Sequence, residues 1–321
     1  MRPEEFTLVR DLLRTFAAQH AVGSADEVEP RSRAAAQGAL DGLGLAELRG
    51  TALPAATVQE CALLAEEHGR LPLTTSLLGT ALLAPELLRL LGADGHDTRF
   101  TVALDRDLRF PGPDAQDLRA WDCDGAGAAL YADTEGNVTR ARLGPPAPTA
   151  DLLRSVRRAS AVGAPLGRLG PQDRQRWQAY ALVVVASELV GAAGSFVEQG
   201  VAYARDRRQY GRRIGSFQAV QHLLADATVL VAAGTSATRY AAWCVDREPP
   251  DRALAAARAA KAEVNTSAVQ AVYAGMQVFG GIAQTWEHLA HLYLRKVLVG
   301  ATVLATTADL LPVLAVPEVT R

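Results

Sequence analysis

The residues Tyr203–Gln221 read YARDRRQYGRRIGSFQAVQ and separate two long segments with apolar residues at helical spacing. Five arginines fall within nine residues of this stretch, and Gly211 and Gly215 interrupt the cluster. Guanidinium groups bind oxyanions bidentately, and a glycine lets the backbone approach a ligand closely. The stretch therefore predicts a diphosphate site at a helix junction, with a solvated basic turn as the alternative interpretation.

The segment after Pro171 predicts a helical bundle. Apolar residues recur at three- and four-residue spacing almost to the end of the chain, and many of them are alanines. Long helices with short connections are typical of an antiparallel four-helix bundle, and alanines allow close helix contacts. A helical scaffold without a cofactor would explain this periodicity, but it would not explain the arginine-rich junction.

The rest of the chain changes character near residue 96. Before it, apolar faces such as Phe6, Val9, Leu13 and Phe16 predict helices. After it, short alternating runs separated by Gly, Asp, Asn and Pro predict a small β region. Trp121 lies in one of these runs, and we interpret it as a core residue rather than a stacking platform.

The amino-acid composition restricts the classes of partner expected for this protein. The 321 residues carry a formal net charge of −2, so nucleic acid and an anionic membrane are not expected as main partners. No apolar run reaches the roughly 18 residues that span a membrane, and the stretch at Tyr180–Val184 is far too short. Three scattered cysteines, Cys61, Cys123 and Cys244, are expected to be buried thiols in a reducing cytoplasm.

Two motifs carry a resemblance to a known family. RDRRQYGRRIGSFQAVQ resembles the R-x-x-F-G-x-x-I-x-x-F-Q signature of the acyl-CoA dehydrogenase family. QVFGGIAQTWEH, Gln277–His288, is similar to that family's Q-x-x-G-G-x-G-x-x-x-E segment, and the two motifs occur in the right order and about the right distance apart. The resemblance covers residues 170–298 well, residues 1–95 weakly, and the region between them least.

The resemblance implies a mainly α fold with three parts. These are a helical N-terminal domain over residues 1–95, a reduced β domain over 96–168 and a C-terminal four-helix bundle over 169–321. The middle segment is too short for the family's full barrel and lacks its flavin-stacking motifs. The RGTALPA loop near residue 50 also departs from the family's paired glycines.

The resemblance implies FAD as the cofactor and a flavin site shared between subunits. This chain matches the half that a neighbouring subunit supplies: Arg207 for the diphosphate, Tyr210 as the aromatic residue, Ile214 as the apolar contact and Gln218 as the amide. The full set of cofactor-binding residues expected from the two motifs is Arg207, Gln209, Tyr210, Gly211, Ile214, Phe217, Gln218, Gln277, Gly280 and Gly281.

The family removes a proton next to a thioester and transfers a hydride to FAD, so it needs a positioned carboxylate. The two positions for that glutamate fall near Leu304 and near Ala181, and neither is acidic. Glu188, Glu287, His288 and His291 are the remaining candidates, and we interpret each as structural. No catalytic residue and no metal site is therefore assigned.

Three functions remain open. The first is an acyl-CoA dehydrogenase subunit that completes the FAD site of a homologous, base-bearing chain in a heterotetramer. The second is a homo-oligomeric flavoprotein with altered chemistry on an acyl thioester, carried by CoA or an acyl carrier protein. The third is a helical binding protein that has lost FAD. Retention of the arginine and glutamine half-site favours the first.

Overall fold

The computed structural model describes residues 3–93, 98–113 and 115–315. Helices come first in the chain, a block of strands follows, and long helices form the C-terminal half. The elements are α1 Pro3–His20, α2 Pro30–Asp41, α3 Val58–Gly69, α4 Ala84–Leu91, β1 Phe100–Leu104, β2 Leu118–Trp121, β3 Ala128–Ala132, β4 Asn137–Pro146, β5 Val156–Ala161, β6 Gly167–Arg168, α5 Pro171–Asp206, β7 Arg208–Gln209, β8 Arg212–Arg213, α6 Gln218–Arg247, α7 Pro250–Phe279, α8 Ala290–Gly300 and α9 Thr307–Leu314.

The predicted fold class is confirmed: the protein is mainly helical, with a small β region between a helical N-terminal part and a helical bundle. The exact domain boundaries stay a prediction. All three cysteines are free and buried, as expected. Trp121 is 2% exposed and is a core residue, as interpreted from the sequence.

The β region is short but closed. Its strands follow the order β3-β1-β2-β5-β4, and β3 also pairs with β4, so five strands form a ring with β6 at one edge. Only β1 and β3 run parallel. One face of the strands forms a separate cluster of mostly alanines, because a five-stranded ring leaves little room for larger side chains. The sequence predicted no full barrel here, and the structure shows how a reduced one closes.

Helix α5 is the central element of the bundle. Its 36 residues pack against α3 on one side and against α6, α7 and α8 on the others. By length and composition the helix could span a membrane, although no continuous apolar run in the sequence is that long. Every residue of the relevant window is buried inside the protein, as expected of the core helix of a bundle.

Two glycines bring α3 and α5 into backbone contact. A Cβ atom on Gly69 would lie 2.0 Å from the carbonyl oxygen of Glu188, and one on Gly191 would lie 1.9 Å from that of Glu66. Any side chain at either position would therefore push the two helices apart. The N-terminal helices and the bundle are fixed to each other at this crossing.

A buried charge network lies beside the crossing and joins all three parts of the fold. Glu188 on α5 accepts hydrogen bonds from His68 at the end of α3 (Oε1–Nδ1, 2.8 Å) and from Arg154 before β5 (Oε2–Nη2, 2.5 Å). Lys296 on α8 lies 3.3 Å from Oε1. Arg154 also contacts Asp122, at 2.6 Å. Each of these side chains is almost fully buried.

The network sets the charge state of its members. Desolvation acts to raise the pKa of Glu188, but Arg154, Lys296 and His68 outweigh it and hold that pKa well below its usual range. Desolvation lowers the pKa of His68, against the opposing effect of Glu188. Glu188 is therefore a carboxylate at neutral pH, and its negative charge compensates buried positive charge.

We expect Glu188→Gln to lower the free energy of unfolding by about 3–5 kcal/mol, because it leaves buried cations without their shared counter-charge. Urea denaturation at neutral pH measures the change. The matched control is Glu198→Gln on the same helix, where the side chain is 65% exposed, and its effect should stay within about 0.5 kcal/mol. Equal stability of the two variants would contradict a structural role for the Glu188 charge.

Candidate functional site

A short hairpin between α5 and α6 carries most of the first motif. Strand β7 pairs antiparallel with β8, which leaves Tyr210 and Gly211 as a two-residue turn. Both have positive φ angles, 52° and 79°, as the favoured two-residue hairpin turns require. The ring of Tyr210 is 93% exposed. The turn therefore presents an aromatic ring and bare backbone on the surface.

The hairpin concentrates positive charge. The five arginines at positions 205, 207, 208, 212 and 213 are exposed, and no carboxylate in the described ranges forms an ion pair with any of them. The guanidinium group of Arg212 lies 4.1 Å above the ring centroid of Phe217. Such a cluster raises the local positive potential and is suited to an anionic ligand.

The second motif lies at the end of α7. Gln277 is exposed in the last turn of that helix, and Gly280 ends it with a φ of 66°. A Cβ atom added to Gly280 or to Gly281 would meet no atom within 4 Å. The backbone of this segment is therefore open to a ligand or to another chain.

The two motifs are neighbours in space. The rings of Tyr203 and Phe279 are 4.9 Å apart, and Val278 packs in one apolar cluster with Ala204 and Leu224. These contacts bring the end of α5, the start of α6 and the end of α7 to the same end of the bundle. The structure thus places all ten residues predicted to bind the cofactor in one region, where each is exposed or half-buried.

Local contacts divide these residues by role. The Ile214 N–H donates to the Arg207 carbonyl (2.8 Å), which fixes the hairpin, and Ile214 packs against the apolar cluster. Gln221, also noted in the motif, donates from Nε2 to the Gly215 carbonyl at 2.9 Å and so holds the loop. Phe217 contacts the Tyr210 ring edge-on. The remaining polar side chains are exposed: Arg207, Gln209, Gln218 and Gln277. A guanidinium group can bind a diphosphate, and the side-chain amides can hydrogen-bond to the polar edge of a ring.

The two positions of the family's base are buried apolar residues. Ala181 is fully buried on α5, and Leu304 is 3% exposed. Leu304 has a φ of 69°, and its N–H donates to the carbonyl of Leu108, which has a φ of 61° (2.7 Å). Left-handed backbone is strained for leucine, so the surrounding contacts must hold this segment in place.

Charged side chains clamp the segment around Leu304. Lys261 on α7 is fully buried and donates to Asn265 and to the carbonyl oxygens of Gly300 (3.0 Å) and Ala305 (3.4 Å). Burial lowers the pKa of Lys261 to about 7. Arg109 lies 2.9 Å from Asp309 across the same segment. Sequence reasoning did not find Lys261, although its position among Ala257, Ala260 and Val264 puts it on the buried stripe of α7.

A small cavity lies next to these positions in the chain. It is lined by Leu182, Ala305 and Leu310, but not by Ala181 or Leu304, and its volume is about 150 Å³. Cofactor and substrate pockets generally occupy about 300–1,000 Å³. This cavity is therefore too small for an acyl chain or a flavin ring.

The other candidate bases differ in their surroundings. Glu188 is fully engaged in the buried network and is not available as a base. Glu287 is exposed within the second motif. His288 Nδ1 accepts from the N–H of Ala290 at 3.1 Å. His291 Nε2 donates to the Trp286 carbonyl at 3.1 Å, and this side chain lines a cavity of about 450 Å³.

Comparison with known proteins identifies the same motifs. Residues 180–304 match the family described as the C-terminal domain of acyl-CoA dehydrogenase. Among curated relatives, the acyl-CoA dehydrogenase IpdE2 of Mycobacterium tuberculosis is 37% identical over 131 residues, which is 41% of this chain and 39% of that protein. FadE34 of the same organism is 41% identical over 126 residues, 38% of this chain and 17% of that protein. The chain thus matches well under half the length of these relatives.

Solved structures share the fold over almost the whole chain. Butyryl-CoA dehydrogenase from Megasphaera elsdenii superposes with a TM-score of 0.78 at 15% identity and covers 98% of both chains. A Tcur3481-Tcur3483 steroid ACAD variant and the ChsE4-ChsE5 complex from Mycobacterium tuberculosis each give 0.76, at 23% and 20% identity, covering 97% of this chain and 96% of theirs. These identities show the fold alone. Residues 180–304 therefore form a C-terminal domain of the acyl-CoA dehydrogenase family, and the chain as a whole has the acyl-CoA dehydrogenase fold.

Proposed function

We propose that this chain is a subunit of a flavin-dependent acyl-CoA dehydrogenase that completes the FAD site of a base-bearing partner chain. One observation carries the proposal. The exposed half-site of the two motifs is retained with five unpaired guanidinium groups, whereas both base positions are buried and apolar. A chain that had lost the flavin altogether would have no reason to keep the uncompensated charge.

The residues of the half-site fit the cofactor. FAD carries a diphosphate, which the guanidinium groups of Arg207 and the neighbouring arginines can bind. It also carries an isoalloxazine ring, and the side-chain amides of Gln218 and Gln277 can hydrogen-bond to the edge of that ring. When bound, the flavin accepts the hydride in α,β-desaturation of an acyl thioester. The chain's own contribution is to hold the negative charge of the diphosphate and to cover the ligand from one side. Since the half-site is open, the other side must come from a second chain.

Related structures support a shared site. Two solved structures with this fold are named for pairs of chains: the ChsE4-ChsE5 complex and Tcur3481-Tcur3483, a steroid ACAD. By this analogy, the partner would carry the glutamate and a full flavin-contacting β domain. The substrate class that follows is an acyl thioester.

Exposed apolar residues on α6 and α7 mark a surface for assembly. Val229, Tyr240 and Trp243 on α6 and Tyr273 on α7 are between 41% and 67% exposed, and the rings of Tyr240 and Trp243 stack. Large apolar side chains grouped on one helix face usually belong to an interface. This surface lies on the bundle, on the helices that begin and end at the half-site.

The first prediction concerns the diphosphate contact. Arg207→Ala should lower flavin retention in the assembled complex, because a charge-assisted contact contributes roughly 1.5–3 kcal/mol. Flavin content per complex, from the visible absorbance after gel filtration, measures the effect. Arg247→Ala, which removes an exposed arginine at the far end of α6, is the control. Unchanged flavin content in the Arg207 variant would remove this residue from the site.

The second prediction concerns assembly. Light scattering should give a mass of at least two chains, where one chain is 34.0 kDa, with the chain alone or with its partner. Val229→Asp should shift the equilibrium toward smaller species, because it buries an unpaired charge in the interface. Leu53→Asp, at an 87% exposed position in the N-terminal region, is the matched control. A stable monomer both alone and with candidate partners would contradict a shared site.

The third prediction is that the isolated chain does not desaturate acyl-CoA thioesters, even after Leu304→Glu. A positioned base contributes roughly 10²–10⁴-fold in rate, but a side chain at position 304 is only 3% exposed and starts from strained backbone with a φ of 69°, so a glutamate there would not be positioned against a substrate. The assay follows reduction of an artificial electron acceptor with added FAD and a panel of acyl-CoA thioesters, with a thermal melt to confirm folding.

Three outcomes of that assay separate the functions. Turnover only after adding a base-bearing partner chain, such as one encoded beside it, supports the proposal. Dye reduction by the wild-type chain alone indicates a homomeric flavoprotein with its own base. Inactivity in both settings indicates a binding protein that has lost the chemistry.

A further inference from the structure

A second cavity lies away from the half-site, between α2 and the segments that flank β5. Its volume is about 610 Å³, within the range of small-molecule sites. Arg33 and Gln37 of α2, Asp124 after β2, and Ser155 and Arg157 at the start of β5 contribute polar groups. It shares no residue with the hairpin or with the segment at Gln277–Gly281. The proposed flavin chemistry makes no use of it.

One wall contains a buried donor without an acceptor. Arg154 lines the cavity and is 4% exposed. Its two terminal nitrogens are bonded to Asp122 and Glu188, but Nε is buried and has no hydrogen-bond partner among the described residues. The nearest carboxylate, that of Asp151, is 3.9 Å away, beyond hydrogen-bond distance. Because this N–H exposes essentially no surface, it belongs to the buried charge network and is not open to a ligand in the cavity.

A second donor group is free at the rim. Arg157 is half-buried, and its Nε donates to the Gly144 carbonyl at 2.8 Å. Its terminal nitrogens make no hydrogen bond within the described part of the chain. Arg33, by contrast, is committed to Asp124 and to the carbonyls of Thr74, Leu152 and Leu153. The cavity therefore offers one guanidinium group, that of Arg157, which is fixed through Nε and has its two terminal nitrogens open to an oxyanion.

The charge and the shape of the cavity restrict the class of ligand that it can bind. Asp41 and Asp124 line the same cavity, and their carboxylates disfavour a doubly charged anion such as a phosphate monoester. Asp41 is already held by Gln37 and Arg99, and Asp124 by Arg33. Pro146, Ala147 and Val156 give the cavity an apolar wall. We propose that it binds a small organic monocarboxylate, with the carboxylate at Arg157 and the apolar part against this wall.

The test uses sodium butyrate and sodium hexanoate, with inorganic phosphate for comparison, at constant ionic strength. Ligands that bind only the folded protein raise its melting temperature, and titration calorimetry then measures their Kd. Arg157→Ala should weaken carboxylate binding at least about tenfold, because it removes the bidentate contact. Arg158→Ala removes the next arginine of β5, which does not line the cavity, and should leave binding unchanged.

A steric variant tests the position independently of charge. Gly38 lines the cavity on α2, and a Cβ atom there would meet nothing within 4 Å. Gly38→Phe should therefore fold, fill the space and abolish stabilisation by hexanoate. The inference is overturned if neither carboxylate stabilises the wild-type protein, if both variants bind as well as wild type, or if phosphate binds better than the carboxylates at the same residues.

Discussion

The carboxylate of Glu188 is the interaction on which the architecture depends. It lies near the middle of the central helix and receives bonds from the end of α3, from the segment before β5 and from α8. These side chains come from the N-terminal helices, the β region and the bundle. Because they are buried, removing the one shared anion would leave several charges unpaired at once. The same side chain cannot also act as a free base.

The backbone crossing at Gly69 and Gly191 explains why the network can be so compact. The two glycines let α3 and α5 touch through their backbones, so His68 at the end of α3 reaches Glu188 directly. Arg154 then extends the network to Asp122 and lies 4.9 Å over the ring of Trp121. The β region is thus fixed to the bundle by a cation as well as by apolar packing.

The two ends of the active-site region have opposite properties. At the hairpin end, charge is exposed and unneutralised, which is unfavourable unless an anion or another chain covers it. At the Leu304 end, the backbone is strained, the side chains are buried and Lys261 holds the segment from below. The proposed division of labour between two unlike subunits rests on this contrast.

The sequence alone identified the match to acyl-CoA dehydrogenases and placed the predicted half-site at two helix junctions. Two motifs at helix junctions carried that information, because turns with glycine and clustered arginine depend on local residue order. The helical periodicity of the C-terminal half likewise predicted the bundle, because the apolar residues that form the buried face of each helix recur at three- and four-residue spacing. The absence of an acid at Ala181 and Leu304 was also readable without coordinates.

Only the tertiary structure decided what the remaining charged residues do. Glu188, His68, Arg154 and Lys296 are far apart in sequence, and their mutual neutralisation depends on how three parts of the fold pack together. The closure of the short β region depends on the pairing of β3 with β4, which no local pattern specifies. The cavity beside Arg157 is likewise a property of the tertiary structure, because a cavity forms where separate elements do not pack completely against each other.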